Sequence, residues 1–313
     1  MKNKNALKKD FYDPQRVIVL NGDDIKRIQS RLLFVLDDIV DVCNENHINY
    51  QLSGGTCLGA IRHHGFIPWD DDIDINIFRK DIQRFLDAFE RKYGSKYWTH
   101  TLGKTKRYDS MIVRILTKDV RARYVLDENC EECGLNTDIF IVENTFDNPV
   151  LRKIHGYGYM VFRYILSCIR YHRGGKEVLS VAREGDGIRK FIVQRATLGR
   201  VFSVIPLRVW AFFANKWAAL CKNTQSKYVT IPSGTNQFFG EMYLRDAFQR
   251  SEEKVFEGRN LRITSDYDSY LSKLYGNYMS IPKESEREKH VMLELDRDAL
   301  KRQGTHQDEG EAG

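Results

Sequence analysis

The chain has 313 residues, 42% of them hydrophobic and 29% charged, with a formal net charge of +6. That length and apolar content suffice for one large core or two modest ones, and they exclude a disordered chain. Six cysteines are too sparse for a disulfide scaffold, and the opening Met1-Lys2-Asn3-Lys4-Asn5-Ala6-Leu7-Lys8-Lys9 is not followed by an apolar signal segment, so the cytoplasm is the expected compartment.

Residues 1–20 are polar and charged and read as a loose arm. From Asp23 to Asn46, Ile25, Ile28, Leu32, Val35, Leu36, Ile39 and Val40 recur at spacings of three and four, which predicts an amphipathic helix packed on a sheet. The short apolar run Ile48 to Leu52 leads into the turn Ser53-Gly54-Gly55-Thr56, where glycines let backbone N–H groups come close to an anion. A helical segment then precedes Gly65-Phe66-Ile67-Pro68-Trp69-Asp70-Asp71-Asp72-Ile73-Asp74.

Four carboxylates in five positions repel one another and raise each other's pKa unless a cation offsets them. A hard divalent ion does so, and Mg²⁺ prefers one or two carboxylates together with substrate phosphates. The alternation Ile73, Ile75, Ile77 marks a strand with one apolar face, which puts Asp72 and Asp74 together on the other. A solvated turn explains neither that alternation nor the neighbouring Trp69.

These residues resemble the LicD family of phosphotransferases, built on the nucleotidyltransferase fold. The resemblance rests on Gly54-Gly55-Thr56-Cys57-Leu58-Gly59-Ala60-Ile61-Arg62 and on Gly65 to Asp74. It extends to Tyr270-Leu271-Ser272-Lys273-Leu274-Tyr275-Gly276-Asn277-Tyr278-Met279, Pro282 and His290 near the end. Cys57 is the one departure within the first block. The fold class implied is α/β (α+β): a nucleotidyltransferase-like mixed sheet core over residues 21–149, then a helix-rich C-terminal extension.

Beyond the acidic strand, Arg79 to Tyr93 carries Ile82, Phe85, Leu86 and Phe89 on one face and predicts a second helix. Strands are expected at Tyr97–Leu102, Met111–Leu116 and Thr137–Val142. Asp138, at the mouth of the last, is by itself compatible with a strand-capping aspartate. By resemblance it matches the place from which this fold takes a third metal carboxylate. Arg62 suits phosphate oxygens or a solvated helix face equally, and Trp69 suits either base stacking or core filling.

Cys130-Glu131-Glu132-Cys133 has the spacing of half a zinc knuckle, but no second pair matches it, which favours free thiols. From Arg152 to Arg208, twelve lysines and arginines face only Glu177, Glu184 and Asp186, with Tyr, Phe and Trp interleaved. Residues 150–283 therefore read as a helical extension closing on the core, whose basic helices suit contact with an acceptor or a membrane surface and equally a packed subdomain with its arginines simply exposed. Arg173-Gly174-Gly175 and residues 183–187 read as its loops. No nucleic-acid module is recognisable, and Val201–Leu220 is interrupted by Arg208 and Lys216, against a spanning helix. The charged stretch 284–313 reads as a disordered tail.

The resemblance implies Asp72, Asp74 and Asp138 as catalytic and metal-binding residues for Mg²⁺ or Mn²⁺. Ser53, Gly54, Gly55, Thr56, Arg62, Trp69 and Asp71 are the substrate-binding candidates. The implied reaction moves a phosphorylated alcohol such as phosphorylcholine from a CDP-alcohol donor to a hydroxyl of a cell-surface or lipid-linked glycan by in-line displacement between two metals. Two alternatives stand beside it. One is an NTP-dependent nucleotidyltransferase acting on a sugar or sugar phosphate; the other is a non-catalytic nucleotide- or membrane-binding component of a glycan assembly complex.

Overall fold

The computed structural model describes residues 13–127, 131–182, 186–287 and 291–302. The first part of the chain supplies β1 (Ile18–Val19), α1 (Gly22–Glu45), β2 (Tyr50–Leu52), α2 (Gly54–Arg62), β3 (Ile73–Phe78), α3 (Arg79–Tyr93), β4 (Tyr97–His100), β5 (Val113–Thr117), β6 (Ala122–Tyr124) and β7 (Asn136–Asn144). A helical layer follows: α4 (Pro149–Val181), α5 (Asp186–Phe202) and α6 (Leu207–Ala218). The chain then returns to the core through β8 (Tyr228–Thr230), α7 (Gln237–Gly240), β9 (Met242–Leu244), α8 (Arg245–Phe248), β10 (Ser251–Phe256), β11 (Arg259–Thr264), α9 (Tyr267–Tyr275), β12 (Val291–Leu295) and α10 (Arg297–Lys301).

The expected α1 stripe is the buried one: Ile28, Leu32, Val35, Leu36 and Ile39 face the sheet. Asn21 starts the helix by accepting N–H bonds from Asp23 and Asp24, while Asp24 returns one to the Asn21 N–H, a reciprocal capping box. The central sheet runs β2-β3-β7-β5-β4, with β8 and β9 continuing from the end of β7. Within it β3 and β7 are parallel and the other pairings antiparallel, so the sheet is mixed, as expected. The parallel register sets Asp74 beside Asp138, and the next pairing sets Asp138 beside Arg114. Residues in register on neighbouring strands share a face, so the sequence-distant members of the site become neighbours. Ile73, Ile75 and Ile77 fill the opposite face, each fully buried.

Three boundaries differ from expectation. The arm read over 1–20 contains β1, which pairs with β12; β12 also pairs with β6. The tail read as disordered from 284 thus holds a strand and a helix, because Met292, Ala299 and Leu300 are buried in the main core and Arg297 forms a paired ionic contact with Asp24. The helical extension ends near Ala218 rather than 283. The segment after it carries strands, and Phe248, Phe256, Ile263, Tyr270 and Leu271 join the main core. Gly174 and Gly175, read as a loop, lie inside α4, where Gly175 faces Ile192 of α5. Among the described residues no single helix is long and apolar enough to cross a membrane.

Candidate active site

The turn 67–70 is held from two sides before any ligand is considered. The Asp70 N–H donates to Ile67 O, and Gln29 Nε2 of α1 donates to the carbonyls of Ile67 and Asp70. This clamp fixes Asp70, Asp71 and Asp72 at the entry to β3. One carboxylate oxygen from each lies within 4.8 Å of the others, and Asp71 is buried.

The glycine pair explains how α2 meets these acids. A side-chain carbon at Gly54 would lie 2.6 Å from Asp74 Oδ2, and one at Gly55 would lie 2.6 Å from Asp70 Oδ2. Both distances are shorter than carbon and oxygen tolerate, so only glycine lets the two carboxylates reach the first turn of the helix; Gly54 also adopts φ +49°. There the positive end of the helix dipole favours negative charge. The sequence pointed to phosphate at this turn, but two of its N–H groups are already engaged within the protein: Ser53 N–H donates to Asp74 O, and Gly54 N–H donates to Tyr270 Oη. Thr56 Oγ1 accepts the Asp74 N–H, so it positions that aspartate.

Asp72 is the electrostatic centre. Burial, then the charges of Asp74, Asp70, Asp71 and Asp138, hold its carboxyl well above the ordinary aspartate range. Asp138 accepts Arg114 Nε and Nη2 at 2.8 and 3.2 Å, a two-toothed ion pair. Carboxylate oxygens are the donors that Mg²⁺ and Mn²⁺ take, and Asp72, pressed by four like charges, is the kind of group a divalent ion stabilises. The residues present fit such an ion. The tightest group is Asp70, Asp71 and Asp72; of the expected metal residues, Asp74 approaches from the helix side and Asp138 is braced by Arg114.

A cavity of about 270 Å³ opens beside Asp71, Asp72 and Asp138, with Arg114, Arg170, Tyr108 and Tyr124 in its wall. Arg170, from α4, is paired with the buried Asp109. Among the described residues Tyr124 Oη is buried with no hydrogen-bond partner, and burial with the nearby Asp71 and Asp72 pushes its hydroxyl well above the usual tyrosine range. Tyr275 of α9 brings its hydroxyl near Gly54, although its side chain is 46% exposed. Desolvation of that hydroxyl, Tyr270 and the charges of Asp74, Asp70 and Asp72 shift it the same way.

Two substrate candidates are engaged elsewhere. Arg62 Nη1 donates to the carbonyls of Tyr278 and Ser280 at 2.7 and 3.2 Å, which ties α2 to the segment after α9 instead of reaching for a phosphate. The Arg287 guanidinium lies 4.1 Å from the centre of the Trp69 ring, and His63 meets the same ring edge-on, so one face of that indole is covered. Cys130 and His290 lie outside the described residues, and Cys133 is buried. Sequence reasoning missed Arg114, Arg170, Tyr108 and Tyr124. Arg114 alone left a signal, a charge within the apolar strand Val113-Arg114-Ile115-Leu116. Tyr270 and Tyr275 stood in the C-terminal block without a role.

The mixed sheet thus gathers clustered aspartates at the entry to β3, Asp138 on its parallel neighbour β7 and the glycine-started α2 against them. Residues 47–131 match the family described as LicD/FKTN/FKRP, nucleotidyltransferase domain. Over 277 residues, 86% of this chain and 97% of the relative, it is 28% identical to the lipopolysaccharide cholinephosphotransferase LicD of Haemophilus influenzae. It is 42% identical over 83 residues to an uncharacterised protein of Rickettsia prowazekii, covering 24% of this chain and 31% of that one. A shorter stretch of 44 residues, 14% of this chain and 9% of the relative, is 43% identical to the human ribitol 5-phosphate transferase FKRP. The resemblance read from the motif is borne out, as is the expectation of an enzyme that transfers phosphate-bearing groups.

Proposed function

We propose that this protein moves a phosphorylated alcohol, phosphorylcholine or a similar group, from a CDP-linked donor to a hydroxyl of a cell-surface or lipid-linked glycan such as teichoic acid, capsule or lipopolysaccharide. The reaction runs on the cytoplasmic side, and Mg²⁺ or Mn²⁺ is the cofactor. The observation that carries the reading is the gathering of Asp70, Asp71, Asp72 and Asp74 at the first turn of α2, beside a cavity walled by Arg114 and Arg170. A chain of similar length whose name specifies cholinephosphate transfer to lipopolysaccharide supports the substrate class.

When bound, the divalent ion supplies charge neutralisation at the donor phosphates and at the leaving CMP. Every other task falls to the protein. The clamp from Gln29 and the α2 N-terminus hold the aspartates in place without a ligand, which avoids reorganisation during reaction. The acceptor hydroxyl attacks the phosphorus of the alcohol phosphate, the bond to the CMP oxygen breaks, and the hydroxyl proton passes to a carboxylate. Asp74 and Asp138 are the candidate acceptors for that proton, and Asp138 is held in place by Arg114. The Tyr124 hydroxyl, neutral, in the cavity wall and without a partner among the described residues, would donate to a donor phosphate oxygen.

The test is phosphorus NMR on purified protein with Mg²⁺, a lipid-linked glycan fraction and, in turn, CDP-choline, CDP-ribitol, CDP-glycerol and CTP. Release of CMP from one CDP-alcohol, absent in Asp72→Asn, is the expected result. Pyrophosphate from CTP instead would move the chain to the nucleotidyltransferase reading, and turnover unchanged in Asp72→Asn would remove the carboxylates from the mechanism.

A further inference from the structure

Helix α6 and the turn before it bury small residues and expose large apolar ones. In α6 the inward face is Ala211, Ala214 and Ala218, while Phe212 and Phe213 are 57% and 53% exposed. At the turn joining α5 to α6, Val204 is 83% exposed, the highest value of any large hydrophobic among the described residues, and Ile205 beside it is exposed too. A water-facing helix normally has the reverse arrangement.

This turn is built. The two helices meet at 97°. Ser203, Val204 and Ile205 N–H groups donate to Gly199, Val201 and Phe202 carbonyls, and Trp210 Nε1 donates to Phe202 O at 2.9 Å. Val204 and Ile205 are therefore held outward at the tip of an elbow. The charge around the elbow has one sign: from Gly187 to Gly240 there is no aspartate or glutamate, while Arg200 and Arg208 flank the tip and Lys216 lies beside Phe212 and Phe213 on the exposed face.

We infer that the α5–α6 elbow is a docking surface for an anionic phospholipid bilayer, with Val204, Ile205, Phe212 and Phe213 entering the interface and Arg200, Arg208 and Lys216 meeting the head groups. Apolar side chains next to arginines and lysines are what such an interface takes up. A second copy of this chain fits worse, since it would bring two cationic faces together. Among the described residues no single helix is long and apolar enough to cross the bilayer; the bent α5–α6 pair reaches that length and composition only when its two arms are taken together, and we place it as a surface contact. The contact is independent of the phosphotransfer reading, since it is measured without donor or acceptor.

The test is cosedimentation of the full chain with phosphatidylcholine vesicles, with and without about one-third phosphatidylglycerol. The expected result is binding to the anionic vesicles, reduced at least about tenfold by Val204→Glu with Ile205→Glu and reduced by salt. Unchanged thermal unfolding of that double variant shows that the loss is not misfolding, and Arg200→Gln with Arg208→Gln provides a second variant that removes charge alone. Failure of the native chain to bind anionic vesicles would overturn the inference. So would binding that survives both variants, or a solution dimer that the double variant dissociates.

Discussion

The acidic end of the central sheet and the basic helical layer use the same device for opposite purposes. At the sheet, glycines 54 and 55 remove side chains so that Asp74 and Asp70 can approach a helix terminus. In the layer, Gly158 does the same for an aromatic: a side-chain carbon there would lie 2.3 Å from the Trp217 ring. The first concentrates negative charge at a partly buried site, where like charges oppose one another. The second brings aromatics against α4 while leaving cationic and apolar groups facing outward. Where glycine appears in this chain, its meaning depends on what approaches it.

The largest effect that separates the regions is on turnover. Asp72→Asn or Asp74→Asn is expected to lower the rate of CMP release by about a thousandfold or more, since losing metal-assisted charge stabilisation removes several kcal/mol. Val204→Glu with Ile205→Glu should leave the rate on a water-soluble acceptor unchanged. A comparable loss from both would mean that the regions are one functional unit.

Asp138 tests the border between site and scaffold. Asp138→Ala leaves the Arg114 guanidinium in the cavity wall with Asp127, at 3.6 Å, as its remaining ion-pair partner among the described residues, and should destabilise the fold by about 3–5 kcal/mol. Urea unfolding of the variant beside Asp72→Asn measures this. Equal stability of the two would show that the Arg114 pair does not brace the sheet.

The seam between the regions is pH-sensitive. Burial pushes the Glu241 carboxyl up to about 7, against the pull of the Asn236 N–H, Arg163 and Lys273. A raised acid pKa means that its contribution to stability is fully present below the ordinary value near 4.5 and is lost as pH rises through about 7. The shift corresponds to a loss on the order of 3 kcal/mol at full extent. Glu241→Gln should flatten that part of the stability–pH curve; a slope unchanged by the substitution would assign it to other groups.

Much of the central sheet was legible because its elements are periodic. Ile73–Phe78 and Arg79–Tyr93 were placed with their observed ends, one by alternation of two and the other by a three-four stripe. The return of the chain to the core was not legible. Strands of three residues such as β8 and β9 carry no period, and β1, β6 and β12 find their partners only across most of the chain. The acidic cluster could be read because its members are neighbours in sequence. The wall of the cavity could not, since Arg170 looks like any other arginine on a helix until Asp109 is seen beside it. The glycine turn was assigned to phosphate because nothing local shows that Tyr270 occupies the Gly54 N–H.

That hydroxyl gives the smallest effect. Tyr270→Phe removes the acceptor of the Gly54 N–H and the 2.9 Å bond with Ser53 Oγ, and should cost about 1–2 kcal/mol in unfolding free energy. A neutral result would show that the α2 terminus is held by the carboxylates alone.

The claim on which the phosphotransfer reading depends is that Asp72 and Asp74, with Asp70, Asp71 and Asp138 around them, hold a divalent cation. Titration of the metal-free protein with Mn²⁺, followed by electron paramagnetic resonance, tests it without any substrate. Saturable binding that Asp72→Asn weakens severely, and that Mg²⁺ displaces, is the predicted result. Absence of saturable binding, or binding indifferent to Asp72→Asn, would contradict it.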